Sequence, residues 1–278
     1  MTIRTILTVV SDLAEASELD EARRIATAFD AHLTIAVMGL CPPPPASPYG
    51  VVNSDLWAQE ANAGREAAKA RAEGFEQLLQ TAGERGSAYA HYVDLGSVAT
   101  LVARFARYAD LTLIQPLREG EESLRQATLN GALFESGRPV VLLPEAGCAF
   151  PDVERAVIAW DASVEASKAV RDALPLLKKA KSVTAVLVDP EPSFDGHGPE
   201  PGADLATYLG RHGIELDVHR VPSEGQDVSR AITRFAEDQG AGLVVMGGFG
   251  HSRLRQRIFG GTTSRIVRSV TTPVLMSH

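Results

Sequence analysis

Short runs of valine, isoleucine and leucine alternate with segments of helical periodicity along this chain, and the whole alternation is run through twice. The run Ile6-Leu7-Thr8-Val9-Val10 is followed by Glu15-Ala16-Ser17, and Ala156-Val157-Ile158-Ala159-Trp160 by Glu165-Ala166-Ser167. Further on, Arg104-Phe105-Ala106 recurs as Arg234-Phe235-Ala236, and Arg138-Pro139-Val140-Val141-Leu142-Leu143 is matched by Thr272-Pro273-Val274-Leu275-Met276. Matches in one order at the start, middle and end of two halves indicate an internal duplication. At 278 residues the chain has room for two domains, at roughly 100–200 residues each.

Apolar runs predict strands, and repeats of three to four residues predict helices. In the first half the strands fall at 4–10, 32–38, 88–93, 111–115 and 139–143, and the helices at 14–30, 56–82, 97–108 and 122–136. In the second half the strands fall at 155–160, 182–188, 214–220, 242–247 and 273–277, and the helices at 163–180, 203–212, 226–239 and 261–269. Alternation of this kind makes a parallel sheet covered on both faces. The expected fold class is therefore α/β. It comprises two tandem doubly wound domains, 1–146 and 152–278, each a five-stranded parallel sheet flanked by helices in flavodoxin-like or similar order. A ligand crevice belongs at the carboxyl ends of the strands, where the strand order reverses. The last strand of each half is a sheet edge, and pairing 139–143 with 273–277 would bury both. That pairing makes an intramolecular pseudo-dimer, and whole chains could associate further as a homodimer.

Composition narrows the function classes. With 27 Lys and Arg against 35 Asp and Glu, the net charge is −8, which argues against a nucleic-acid partner, since that needs a basic footprint. No apolar stretch approaches the ~20 residues of a membrane span, and the N-terminus lacks a signal-peptide core. Only Cys41 and Cys148 are present, which suits free thiols in the cytoplasm. The seven histidines show no metal-ligand spacing, and no G-x-S-x-G elbow occurs. No metal site and no catalytic residue is expected.

The informative stretch is Val244-Val245-Met246-Gly247-Gly248-Phe249-Gly250, continuing through a basic loop to Gly260-Gly261-Thr262-Thr263-Ser264. It leaves a buried strand through glycines and enters a helix through glycines followed by hydroxyl residues. Glycines let backbone N–H groups reach phosphate oxygens unobstructed, and a helix N-terminus adds unpaired N–H groups and partial positive charge. Arg253 stands where a dinucleotide fingerprint would need glycine, and no Gly-Lys pair is present for a P-loop. Tight turns alone would explain such glycines too. Arg253, Arg255 and Arg257 could clamp phosphate or be solvated, and His251 reads as an exposed loop residue.

The spacing G-x-x-G-x₉-G across Gly247, Gly250 and Gly260 resembles the ATP-binding signature of the universal stress protein family. Pro273-Val274 matches the family's last strand, and Asp161 matches the aspartate that ends its first. The resemblance covers both halves. It implies phosphate contacts from the backbones of Gly247, Gly250, Gly260 and Gly261 and from Thr262. It further implies Asp161 beside the ribose and Leu187 and Val188 along the adenine. Asp161 would serve equally well to cap the following helix. Two positions depart from the pattern: Gly261 replaces a usual Ser or Thr, and the bulky Trp160 precedes Asp161.

The first half carries no such loop. Gln115-Pro116-Leu117-Arg118 aligns with Gly247 to Gly250, and Gln126-Ala127 with Gly260-Gly261. The first half is thus read as a degenerate universal-stress-type domain acting as structural partner. The function implied by the resemblance is adenine-nucleotide binding, ATP with or without Mg²⁺, in a regulatory role during stress. Two other readings stand beside it: slow Mg²⁺-dependent ATP hydrolysis, and an interaction module that is empty or holds another anionic small molecule.

Overall fold

The computed structural model describes residues 2–42, 54–116, 118–192, 197–225, 227–248 and 262–278, with the side chains of 54 and 262–264 left aside. Two units make up the chain, Ile3–Ser136 and Gly137–His278, the latter with the first two residues.

In the first unit the elements are β1 (Thr5–Ser11), a 3-10 turn (Ala16–Leu19), α1 (Asp20–Ala28), β2 (His32–Leu40), α2 (Ser54–Thr81), β3 (Gly86–Val93), α3 (Leu95–Ala106), β4 (Leu111–Ile114) and α4 (Glu122–Phe134). Its strands run parallel in the order β3-β2-β1-β4. Every residue of β4, and all of β1 but the first, is buried, as strands covered on both faces require. The second unit holds β5 (Val140–Leu142), β6 (Arg155–Ala159), α5 (Val164–Leu177), β7 (Ser182–Val188), α6 (Ala203–Arg211), β8 (Asp217–Val221), α7 (Val228–Asp238), β9 (Leu243–Gly247), α8 (Thr262–Arg268) and β10 (Val274–Ser277). Five of these strands are parallel in the order β10-β9-β6-β7-β8. Counted within the unit this is 3-2-1-4-5, the first five strands of the Rossmann order 3-2-1-4-5-6 and not the 2-1-3-4-5 of flavodoxin.

The two units share a side-chain arrangement. His91 on β3 meets Phe105 of α3 at 5.2 Å between ring centroids and 57° between planes. In the second unit His219 on β8 meets Phe235 of α7 at 5.3 Å and 57°. Asp94 and Asp227 cap the two corresponding helices, accepting from the Ser97 and Ser229 amides, as aspartate does at an N-cap.

The two last strands pair as their apolar edges require. Val274, Leu275 and Met276 of β10 lie antiparallel against Leu142, Val141 and Val140 of β5, and all six are buried.

Two elements differ from the expectation. The helix expected from residue 14 begins as a 3-10 turn and becomes α-helical only at Asp20. The third strand of the second half, expected at 214–220, starts at Asp217. The cause is how α6 ends. Gly213 adopts φ +75, and the Ile214 amide reaches back to the Leu209 carbonyl at 3.0 Å, which closes the helix in the Schellman manner. Ile214 is buried as the apolar plug of that turn, so its hydrophobicity belongs to the helix end and not to the strand. Among the described residues no helix is long and apolar enough to cross a membrane, and neither cysteine forms a disulfide.

Candidate nucleotide site at the strand switch point

In the second unit, β6 and β9 are parallel neighbours, with Ala159 opposite Met246. The chain leaves β6 toward β7 on one side and leaves β9 toward β10 on the other. Their carboxyl ends therefore diverge, and a crevice opens between them. Three of the residues singled out from sequence arrive at this edge: Asp161 just beyond β6, Gly247 closing β9, and Val188 closing β7.

The turn out of β6 is built by side chains. Asp161 Oδ1 accepts from the Ser163 amide at 3.0 Å and from its hydroxyl at 2.6 Å. Ser163 Oγ in turn accepts from the Ala166 amide at 3.1 Å and so is the N-cap of α5. Asp161 thus supports the cap at one remove. Its Oδ2 has no hydrogen bond among the described residues, and the side chain is exposed. Ala162 between them sits at φ +58, a left-handed conformation costing a non-glycine residue roughly 1 kcal/mol. Trp160 is half-buried, its amide donating to the Val186 carbonyl at 3.0 Å.

Gly247 lies against the first turn of α5. A Cβ there would stand 2.6 Å from the Ala166 nitrogen and 2.9 Å from the Glu165 carbonyl carbon. The missing side chain lets the end of β9 touch a helix backbone, a packing requirement that the glycine spacing did not announce. The next residue, Gly248, is held from β10. Its amide donates to the Ser277 carbonyl at 2.8 Å, and its carbonyl lies 2.8 Å from His278 Nδ1. Ser277 is fully buried, and its hydroxyl donates to Asp172 Oδ2 of α5 at 2.8 Å. Lys168 Nζ pairs with the same oxygen at 3.3 Å.

The remaining assigned residues divide. Leu187 is wholly buried, so of the last two residues of β7 only the half-buried Val188 reaches the surface. Thr262 opens α8. Gly250, Gly260 and Gly261, with His251, Arg253, Arg255 and Arg257, lie outside the described residues. Arg265 of α8 pairs with the capping Asp227 at 2.7 Å. The Ser229 hydrogen bonds and, beyond them, that arginine hold the Asp227 carboxyl below its usual range. No group of three or more His, Cys, Asp or Glu able to hold a metal ion occurs among the described residues. Sequence reasoning missed Ser163, Asp172, Ser277 and His278. Ser163 was legible as a cap before an apolar stripe, whereas the other three matter through contacts distant in sequence.

The corresponding edge of the first unit is filled by its own side chains. Gln115, in the place of Gly247, donates to Thr8 Oγ1 at 2.9 Å, and its backbone carbonyl accepts from Arg125 Nε at 2.9 Å. Burial holds the Arg125 pKa below its usual value. The Ser11 hydroxyl donates to Glu121, and Arg118 pairs with Glu18. Beyond β2, the Tyr92 ring occupies the space left by two glycines. A Cβ on Gly39 would meet Tyr92 Cδ2 at 2.8 Å, and one on Gly64 would meet its Cζ at 2.6 Å.

Comparison with known proteins agrees with this architecture. The family model described as the universal stress protein family matches residues 153–278. A curated relative, universal stress protein Slr1230 from Synechocystis, is 35% identical over 80 residues, covering 28% of this chain and 27% of the relative. The match therefore spans about a quarter of that relative's length. A universal stress protein from Archaeoglobus fulgidus is similar in structure, with a TM-score of 0.70, 17% identity, and coverage of 99% of this chain and 98% of the other. A proposed universal stress protein from Pseudomonas aeruginosa matches with a TM-score of 0.59 at 17% identity, over 98% and 92% of the two chains. At such identity the structures speak for a shared fold. The family model places residues 153–278 in the universal stress protein family, and the chain as a whole shares the fold of the universal stress proteins it resembles in structure.

Proposed function

We propose that the second unit binds one adenine nucleotide, ATP with or without Mg²⁺, at the carboxyl ends of β6, β7 and β9, and that the protein acts by regulation in stress and not by fast chemistry. The observation carrying this reading is the exit of the glycine-spaced segment from β9 at the strand switch point, beside Asp161. Backbone N–H groups freed of Cβ atoms are what a polyphosphate needs. Asp161, with one carboxylate oxygen unengaged among the described residues, suits a ribose hydroxyl.

The first unit is read as the structural partner, and the filling of its strand ends by Gln115, Arg125, Glu121 and Tyr92 supports that reading. Calorimetric titration with ATP and Mg²⁺ should therefore give one site per chain, and mass spectrometry of natively purified protein should find an adenine nucleotide retained. Two equivalent sites would contradict the assignment of the first unit. No binding, with a different anionic molecule retained, would replace the nucleotide by that molecule.

Serine at position 261 should tighten ATP binding. A hydroxyl at the start of α8 adds one hydrogen bond to a charged oxygen, worth roughly 1.5–3 kcal/mol at best, about tenfold or more in Kd. The Kd of Gly261→Ser against wild type checks it, and a weaker Kd would mean that the position needs glycine's backbone freedom.

A further inference from the structure

We infer that the outer edge of β3, with the flank of α2 beside it, is the surface through which two copies of this chain pair about a two-fold axis at Tyr89. β3 ends the strand order of the first unit and pairs only with β2 among the described residues. The Leu33 amide donates to the Arg85 carbonyl and the Cys41 amide to the Val93 carbonyl, both at 2.9 Å. Odd-numbered residues therefore turn their backbone groups to β2, while Gly86, Ala88, Ala90 and Tyr92 turn theirs outward. The eight residues of β3 include no aspartate, glutamate, lysine, arginine or proline, the usual means of keeping such an edge single. β8, the outer strand of the second unit, has those means: it is five residues long and carries Asp217 and Arg220.

Charge along α2 identifies the occupant as a second copy. Arg71 Nε reaches inward to the carbonyl of Asp12, beyond β1, at 3.2 Å. The Arg65 guanidinium instead lies over the Tyr92 ring of β3, 5.7 Å from its centroid. The flank of α2 that looks past the edge thus carries Arg65, Lys69, Glu73 and Glu76, spaced by three and four residues. The first three are exposed and Glu76 is half-buried. This flank is basic in its first half and acidic in its second. A Cβ on Gly64 would meet Tyr92 Cζ at 2.6 Å, and one on Gly86 would meet Leu79 Cδ1 at 2.6 Å. Those two contacts place the middle of α2, at Arg71 and Ala72, over Tyr89. A two-fold axis there brings Lys69 beside the second copy's Glu73, and Arg65 beside its Glu76, so the surface complements itself. The same axis sets Gly86 opposite Tyr92 and Ala88 opposite Ala90, which engages all four outward residues. Tyr89, 48% exposed, then lies opposite its own copy.

Sedimentation of the whole chain should give a dimer of twice 29.6 kDa. Ala90→Pro removes an outward N–H that β2 does not use, a change an edge strand tolerates, and should leave a folded monomer. Lys69→Glu and Glu73→Lys should each weaken dimerisation about tenfold, through two symmetry-related surface pairs, and the two changes together should restore it. Residues opposed in a non-hydrogen-bonded antiparallel pair have Cα atoms about 4.5 Å apart, within reach of a disulfide. Tyr89→Cys should therefore oxidise to a dimer linked through position 89 on peptide mapping. Ser87→Cys, which opposes His91, should not link to its own copy. A monomeric wild type, a dimer indifferent to Ala90→Pro, or charge variants without mutual rescue would each overturn the pairing, as would linkage through position 87 and not 89. Should Ala90→Pro fail to fold, the charge exchange and the disulfide decide.

Discussion

Replacing Gly131 by alanine is expected to destabilise the first unit by roughly 3 kcal/mol, at the upper end of what one added methyl costs in a packed core. Gly131 is buried in α4 and faces α3. A Cβ there would overlap the carbonyl oxygen of Ala99 and stand 2.8 Å from its carbonyl carbon and 3.0 Å from its Cα. All three are backbone atoms of a helix, so no rotamer change relieves the overlap and one helix must move away from the other. Alanine's better helix propensity, about 1 kcal/mol, is too small to compensate. Gly74 provides the control of opposite sign. It lies exposed within α2, and nothing stands within 4 Å of a Cβ placed there, so Gly74→Ala should stabilise by roughly 0.5–1 kcal/mol. Thermal unfolding of the two variants beside wild type checks both. A Gly131→Ala protein melting at the wild-type temperature would refute the close helix contact.

The Gly250→Glu protein is expected to lose ATP binding altogether. Gly250 is the second glycine of the spacing that resembles a phosphate site. A carboxylate at such a position meets phosphate oxygens of the same sign. At about 4 Å and an effective dielectric near 20, one such pair costs about 4 kcal/mol, which is about a thousandfold in Kd. A triphosphate brings more than one negative charge. Calorimetry or filter binding with ATP and Mg²⁺ reads the effect directly, and undiminished binding would move the site away from this segment.

Much of this was legible because strand and helix periods state where each strand ends, and in a parallel sheet the ends are where ligands bind. Asp161, Val188 and Gly247 were singled out through the family resemblance, and the strand ends expected from the apolar runs place all three at one edge of the sheet. The errors have local causes. Ile214 has the apolar character of a strand residue, yet the turn closing α6 uses it. Leu187 and Val188 look equivalent in sequence, but β7 is buried continuously from Val183 to Leu187, and only Val188 at its end is half-buried. What stayed invisible depends on elements meeting across long stretches of chain. Gly247 reads as a phosphate glycine, whereas its contact with Ala166 is a property of packing. Nothing in the sequence around His278 announces that its ring reaches Gly248.

The pairing of β5 with β10 bears on how the second unit is made. These are the first and the last strands of that unit to leave the ribosome, and they are antiparallel neighbours in its sheet. Contacts between distant parts of a chain form late and slowly, so β5 must wait for nearly the entire unit to be synthesised before its partner exists. Until then Val140, Val141 and Leu142 offer an unpaired apolar edge, the kind of surface on which nascent chains aggregate. A fragment begun at residue 152 keeps all five parallel strands of the unit but takes away the neighbour of β10. One begun at residue 137 retains it, and is the piece in which the second unit's sheet keeps this partner.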